Sequence, residues 1–183
     1  MSLLEILTYP DPRLKTISAP VTEFDAKLQA FLTDLENTMR AGPGGVGIAA
    51  PQVGRFQRIV LLDVSSKPKI KHHGNLVLIN PEITQWEGFE IGREGCMSVP
   101  DYTGNVIRAQ YLHLMAQDQH GIQHEYDMEG FEARALQHEL DHLDGLLFID
   151  RLVSRRHDLF RRKVYKPKQQ QAVSIPDPSS SVE

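Results

Sequence analysis

The order of elements along this chain predicts an α+β fold. An amphipathic helix comes early, short apolar runs follow, and a second helix carrying His138-Glu139-Leu140-Asp141-His142 comes late. That order lacks the regular strand-helix alternation of a parallel α/β protein. Mostly antiparallel sheets wrapped around a central metal-binding helix are therefore expected, with a further helix at the C-terminus. The 183 residues are 40% hydrophobic and 24% charged, with a net charge of −4, which fits one globular domain with a tail. The expected bounds are residues 1–165 for a single catalytic domain and 166–183 for a disordered tail.

The opening Leu7-Thr8-Tyr9-Pro10-Asp11-Pro12-Arg13-Leu14 reads as extended and proline-punctuated. Asp25 to Arg40 reads as a helix capped by Asp25, with Leu28, Phe31, Leu32, Leu35 and Met39 at helical spacing. The glycine-rich stretch from Ala41 to Gly47 then breaks regular structure. Strands are expected at Arg58 to Val64, Leu76 to Ile83, Phe89 to Gly92, Val106 to Gln117 and Ile122 to Met128. His120-Gly121 reads as the turn that joins the last two into a hairpin. After the motif helix, Arg151 to Tyr165 reads as helical, and from Lys166 onward Gln, Pro and Ser dominate.

Composition excludes several classes. No apolar run is long enough for a transmembrane helix, and the N-terminus has neither a basic region nor a small-residue cleavage site. The lone Cys96 rules out an intrachain disulfide and suits a reducing compartment. A cytoplasmic location is expected, with neither a membrane nor a DNA partner.

The motif helix carries the chemistry. At about 100° per residue, Phe131, Ala135, His138 and His142 share one stripe, while Ala133, Leu136, Leu140 and Leu143 gather opposite. Two imidazoles one turn apart can hold a metal ion. Glu139 projects to one side of that stripe, placed to reach a water on the metal as a general base. Gly145 stands at a C′ position that would end the helix. The alternative is an ordinary amphipathic helix that happens to carry two histidines, at the cost of polar groups buried without partners.

Catalytic zinc-type sites usually take three protein ligands. A third histidine six residues past His142 is absent, since Phe148 stands there, and no glutamate follows before Glu183. Asp150, His157 and Asp158 remain open as ligands. Upstream, Glu94-Gly95-Cys96-Met97-Ser98 holds the only thiol, and a thiolate with two imidazoles is a known ligand set. Taken alone, Cys96 reads as core packing; taken with His138 and His142, it reads as a ligand.

Gly45-Val46-Gly47-Ile48-Ala49-Ala50 also fits a dinucleotide fingerprint, with Asp63 at about the right distance for a ribose. That fingerprint needs a strand before it and a helix after it. Here a helix precedes it, and Pro51 falls where the second turn of the required helix would lie. The small residues suit close backbone approach instead, and Gln52 offers an amide able to donate to an oxyanion.

With the glycine-rich block through Pro51 and Gln52, Glu94-Gly95-Cys96-Met97-Ser98 and Gln137-His138-Glu139-Leu140-Asp141-His142 in this order, the chain resembles the peptide deformylases from about Leu7 to Tyr165. The resemblance implies removal of the N-formyl group from the initiator methionine of new polypeptides, releasing formate. It implies Cys96, His138 and His142 as ligands to Fe(II), with Zn(II), Ni(II) or Co(II) able to substitute. It implies attack by a metal-bound hydroxide with Glu139 as general base and acid, and Gln52 with the backbone N–H of Met97 on the oxyanion. It places Gly47 against substrate backbone, Val46 and Phe131 beside the methionine side chain, and Glu94 and Arg108 as an ion pair near the site. Three stretches depart from the family pattern: Met97 replaces a usual leucine, Glu132 and Arg134 stand where several relatives are apolar, and Asn105 to Arg108 lacks a common proline.

The stretch Arg151 to Lys168 carries a net charge of +7, so the rest of the chain carries about −11. Such a segregated basic helix is a handle for an anionic partner, and in this family it implies docking on the ribosome. The alternative is a solvated basic face.

Overall fold

The computed structural model describes residues 3–163. The expected tail, with Val164 and Tyr165, lies outside them. Three helices, α1 (Ala26–Ala41), α2 (Gly130–Leu143) and α3 (Arg155–Asp158), accompany eight strands: β1 (Gly47–Ala49), β2 (Ile59–Leu62), β3 (Leu76–Glu87), β4 (Glu90–Cys96), β5 (Val99–Arg108), β6 (Tyr111–Gln117), β7 (Gln123–Glu129) and β8 (Leu159–Arg161). The strands form a five-stranded sheet, β1-β2-β3-β6-β7, and a three-stranded sheet, β4-β5-β8. Every pairing between these strands is antiparallel, as the α+β reading requires.

The larger sheet is covered on both sides, which explains the unbroken apolar run of β2. Side chains alternate across a strand. Ile59 and Leu61 pack with Leu28, Leu32, Leu35 and Met39 of α1. Val60 and Leu62 pack with Ala133, Leu136 and Leu143 of α2. Asp25 caps α1 by accepting from Leu28 N at 2.9 Å. The smaller sheet has its own core, in which Cys96, Val99 and Val106 meet Leu147, Phe148 and Ile149. Helix α2 therefore turns its apolar face to one sheet and its histidine face to the other.

Four expectations need correction. Gly47 to Ala49 does not simply break regular structure: it pairs with β2, Gly47 opposite Leu62, as a short edge strand too brief to show a period. The single strand expected at Val106 to Gln117 is two, β5 and β6, in different sheets. The break at Ala109 is made by Gln137 of α2, whose Oε1 accepts from Ala109 N at 2.9 Å and whose Nε2 donates to Ala109 O at 3.0 Å. The strand expected at Phe89 to Gly92 runs instead from Glu90 to Cys96. Finally, the C-terminal helix expected at Arg151 to Tyr165 is shorter: among the described residues of that stretch only Arg155–Asp158 is α-helical, and Leu159–Arg161 continues as β8. The free edge of β5 offers backbone partners that a solvated helix could not reach, and Tyr102, Thr103 and Gly104 pair with Arg161, Phe160 and Leu159.

Among the described residues, no helix is long and apolar enough to cross a membrane.

Candidate active site

Helix α2 sets His138 and His142 one turn apart, with ring centroids 5.2 Å from each other. Strand β4 ends on Cys96, whose Sγ lies 3.3 Å from His142 Nε2. One donor atom from each of Cys96, His138 and His142 lies within 4.8 Å of the other two, and all three residues are buried. The helix ends as its sequence requires, with Gly145 at φ 72° and its N–H donating to His142 O at 3.2 Å. The other candidates for third ligand are engaged elsewhere. Asp150 accepts from Leu147 N at 2.9 Å, Asp158 accepts from Ser154 N at 3.0 Å, and His157 is exposed.

The supporting contacts of this cluster are built in. Glu94 Oε2 sits 2.9 Å from His138 Nδ1, which leaves His138 Nε2 for the cluster. Arg108 grips Glu94 in a fork, Nε to Oε1 at 2.9 Å and Nη2 to Oε2 at 3.0 Å, so the expected ion pair is present. Arg108 also donates to Asp141 Oδ2 at 2.6 Å, and Arg151 donates to Asp141 Oδ1 at 2.8 Å. Burial pushes the Glu94 carboxyl up, but the hydrogen bonds from His138 and Arg108 outweigh it and hold Glu94 at about 2. Glu94 is thus an anion throughout the physiological range.

Cys96 and His138 shift in opposite directions. Burial raises the thiol, yet the charges of His142 and His138 hold Cys96 well below the usual thiol range. Burial lowers His138, yet Cys96 and Glu94 hold it well above the usual imidazole range. The cluster therefore favours a thiolate, which is the ligating form. For Glu139, burial dominates and pushes the carboxyl up to about 7, against the pull of His138 and His142. Glu139 Oε2 is buried with no hydrogen-bond partner among the described residues. A soft anionic sulfur, two imidazoles and an unpartnered carboxylate oxygen suit a divalent transition metal with a water beside it.

Most of these residues stand in one cleft of about 200 Å³, lined by Val46, Gly47, Gln52, Met97, Phe131 and Glu139 among others. Gln52 is 1% exposed and locked: its Oε1 accepts from Ala49 N at 2.9 Å, and its Nε2 donates to Ser98 Oγ at 3.1 Å and to Cys96 Sγ at 3.5 Å. Gly47 lies against Glu139, and a β-carbon there would come within 2.6 Å of Oε1. Of the residues given a site role from the sequence, Val46, Gly47, Gln52, Glu94, Cys96, Met97, Phe131, His138 and Glu139 line this cleft, whereas His142 and Arg108 are buried and do not line it.

Glu132 does not reach the rim. It is buried and turned to His73, whose N and Nδ1 lie 2.8 Å from its two oxygens. Arg134 does line the cleft, held by Glu94 Oε1 at 3.1 Å, Glu90 O at 2.7 Å and Val106 O at 3.0 Å. Sequence reasoning missed the supporting parts played by Ser98, Asp141 and Arg151. For Asp141 a signal existed, since it follows His138 by three residues and so borders the histidine face.

A Cys-His-His donor set with a buried carboxylate, on antiparallel sheets around one helix, is the arrangement of a mononuclear metallohydrolase. The comparisons narrow that class. The polypeptide deformylase family profile matches residues 3–158. The peptide deformylase of Alkalilimnicola ehrlichii is 41% identical over 96% of this chain and 96% of its own, and that of Acidobacterium capsulatum is 42% identical over 91% and 96%. The crystal structure of a peptide deformylase from Legionella pneumophila has a TM-score of 0.77 at 40% identity, covering 82% of this chain and 86% of that one. The peptide deformylase from Ehrlichia chaffeensis, in complex with actinonin, has a TM-score of 0.79 at 34% identity, covering 85% and 92%. This chain belongs to the polypeptide deformylase family, metallohydrolases that remove the N-formyl group from nascent peptides.

Proposed function

We propose that this enzyme hydrolyses the formyl group of N-formylmethionyl nascent peptides with a single divalent metal held by Cys96, His138 and His142. The observation that carries this reading is the gathering of those donor atoms within 4.8 Å of one another, in a cleft shared with Glu139 and Gln52. Fe(II) is the proposed ion in the cell, with Zn(II), Ni(II) or Co(II) able to replace it. Such an ion, when bound, polarises the formyl carbonyl and acidifies a water.

The remaining roles belong to the protein. Glu94 holds His138 in the tautomer that offers Nε2. Glu139, buried beside the cluster with one carboxylate oxygen left without a hydrogen-bond partner among the described residues, can take a proton from water and hand it to the leaving amine. The Gln52 amide, pointed at Cys96 by its bond from Ala49, donates to the developing oxyanion, together with the backbone N–H of Met97. Gly47 admits an extended substrate backbone, and Val46 with Phe131 line the pocket for the methionine side chain. The catalytic domain is proposed to span 1–165, to act in the cytoplasm and to meet the ribosome through the basic segment that begins at Arg151.

The test is formate release from a short N-formyl-Met peptide, using Fe(II)-loaded protein kept free of oxygen, beside Glu139→Ala. Release by the wild type that vanishes in the variant is expected. Absence of formate from fully metallated wild type rejects the reading.

A further inference from the structure

The cleft carries more positive charge than the reaction needs. Lys67, Arg93, Arg134 and Arg162 all line it, and among the described residues its only carboxylates are Glu94 and Glu139, both buried. Arg134 is engaged by Glu94. Among the described residues, Lys67, Arg93 and Arg162 have no carboxylate partner in an ion pair, and all three are exposed.

One strand organises two of these cations. The pairing of β8 with β5 is followed by a bond from Arg162 N to Asp101 O at 2.8 Å, which carries the Arg162 side chain over Gly95. The guanidinium lies directly over Gly95, where a β-carbon would come within 2.6 Å of Arg162 Nη2. Phe160 of β8 meanwhile lies under Arg93, with the guanidinium carbon 3.6 Å from the ring centroid. Arg93 is held further by Asn105 Oδ1 at 2.8 Å and Thr103 Oγ1 at 3.3 Å. Lys67 stands 5.8 Å from the Phe131 ring, beside the proposed methionine pocket.

Like charges gathered around one opening attract an anion from the chain that enters it. A guanidinium matches a carboxylate in bidentate fashion, and a preordered one loses less freedom on binding. We propose that Arg162, together with Arg93 and Lys67, is a specificity element that favours formylated peptides with Asp or Glu at the two positions following the methionine. The proposal rests on the deformylase reading above and adds a substrate preference to it. It also gives the C-terminal strand a part in substrate selection.

The test compares kcat/KM for the amidated peptides formyl-Met-Glu-Glu, formyl-Met-Gln-Gln and formyl-Met-Lys-Lys. The expected order is Glu, then Gln, then Lys, with about fivefold between successive peptides, carried by KM and shrinking at high salt. Arg162→Gln should bring the Glu-to-Lys ratio toward one, and Arg162→Lys, which keeps the charge but not the fork, should restore part of it. A merely structural role for Arg162 predicts instead an equal loss on all three peptides, and that result overturns the proposal, as do equal rates by the wild type. A wild-type ratio that stays constant as salt rises also overturns it, with no variant needed. Fluorescence anisotropy of labelled, deformylated Met-Glu-Glu and Met-Lys-Lys amides separates the two readings. Absence of formate from every peptide rejects the deformylase function, whereas equal binding of the two labelled peptides rejects the cationic mouth.

Discussion

Glu94 Oε2 and His138 Nδ1 stand 2.9 Å apart across the gap between β4 and α2, so a carboxylate from one sheet orients a histidine on the central helix. Partners that orient a metal-binding histidine in this way are typically worth ten- to a hundredfold in affinity. Glu94→Gln should therefore weaken Zn(II) binding by about tenfold or more in a chelator competition. An affinity equal to wild type would show that His138 is oriented by something else.

Arg108 bridges Glu94 and Asp141 and is 5% exposed. Its removal leaves Glu94 with Arg134 and Asp141 with Arg151 but breaks the buried pairs that join them, and breaking a buried ion pair typically costs about 3–5 kcal/mol. Arg108→Ala should lower the melting temperature by about 10 °C or more for a chain of this size. A loss of only a degree or two would place those carboxylates in contact with water.

At Gly47 the expected defect is catalytic. An added β-carbon would lie 2.6 Å from Glu139 Oε1 and 2.9 Å from its Cγ, so the carboxylate must move. Displacements of about 1 Å in a catalytic group can cost about a hundredfold. Gly47→Ala should lose activity on that order while keeping its metal, as read by formate release and metal content. Full activity would mean that Glu139 has freedom to step aside.

Glu139 gives a pH signature in metal-stripped protein. Its carboxyl sits at about 7 in the fold, against 4.5 for an ordinary glutamate. Below 4.5 both states hold the proton. Between 4.5 and 7 the unfolded chain releases it while the folded protein keeps it, so the folded state binds more protons and stability falls as pH rises. The size of this loss is on the order of 3 kcal/mol. Glu139→Gln should escape it, gaining on wild type across that window in urea unfolding. A stability difference that does not vary with pH would contradict a buried, neutral Glu139. In the metal-loaded enzyme the same substitution should cut formate release by about a hundredfold or more.

The sequence by itself determined the local chemistry. Spacing of four residues on a helix places His138 and His142 together whatever else the chain does, because that proximity follows from helical geometry. The Asp25 cap, the turn at Gly121 and the end of α2 at Gly145 are local in the same sense, since each depends on a few neighbouring residues. Cys96 was legible only because the motif blocks were taken together.

The tertiary structure decided whatever depends on residues far apart in the chain. The 3.3 Å approach of Cys96 to His142 spans 46 residues, and the contact from Glu94 to His138 spans 44. Gln137 divides an apolar run into two strands by taking over the backbone bonds of Ala109, and nothing within that run announces the break. At the C-terminus, a segment that reads as one helix keeps a single helical turn, Arg155–Asp158, and then passes into strand at Leu159–Arg161 because β5 has an edge to offer. Such outcomes turn on which backbone donors and acceptors lack partners once the sheets have formed, and only the assembled fold sets that.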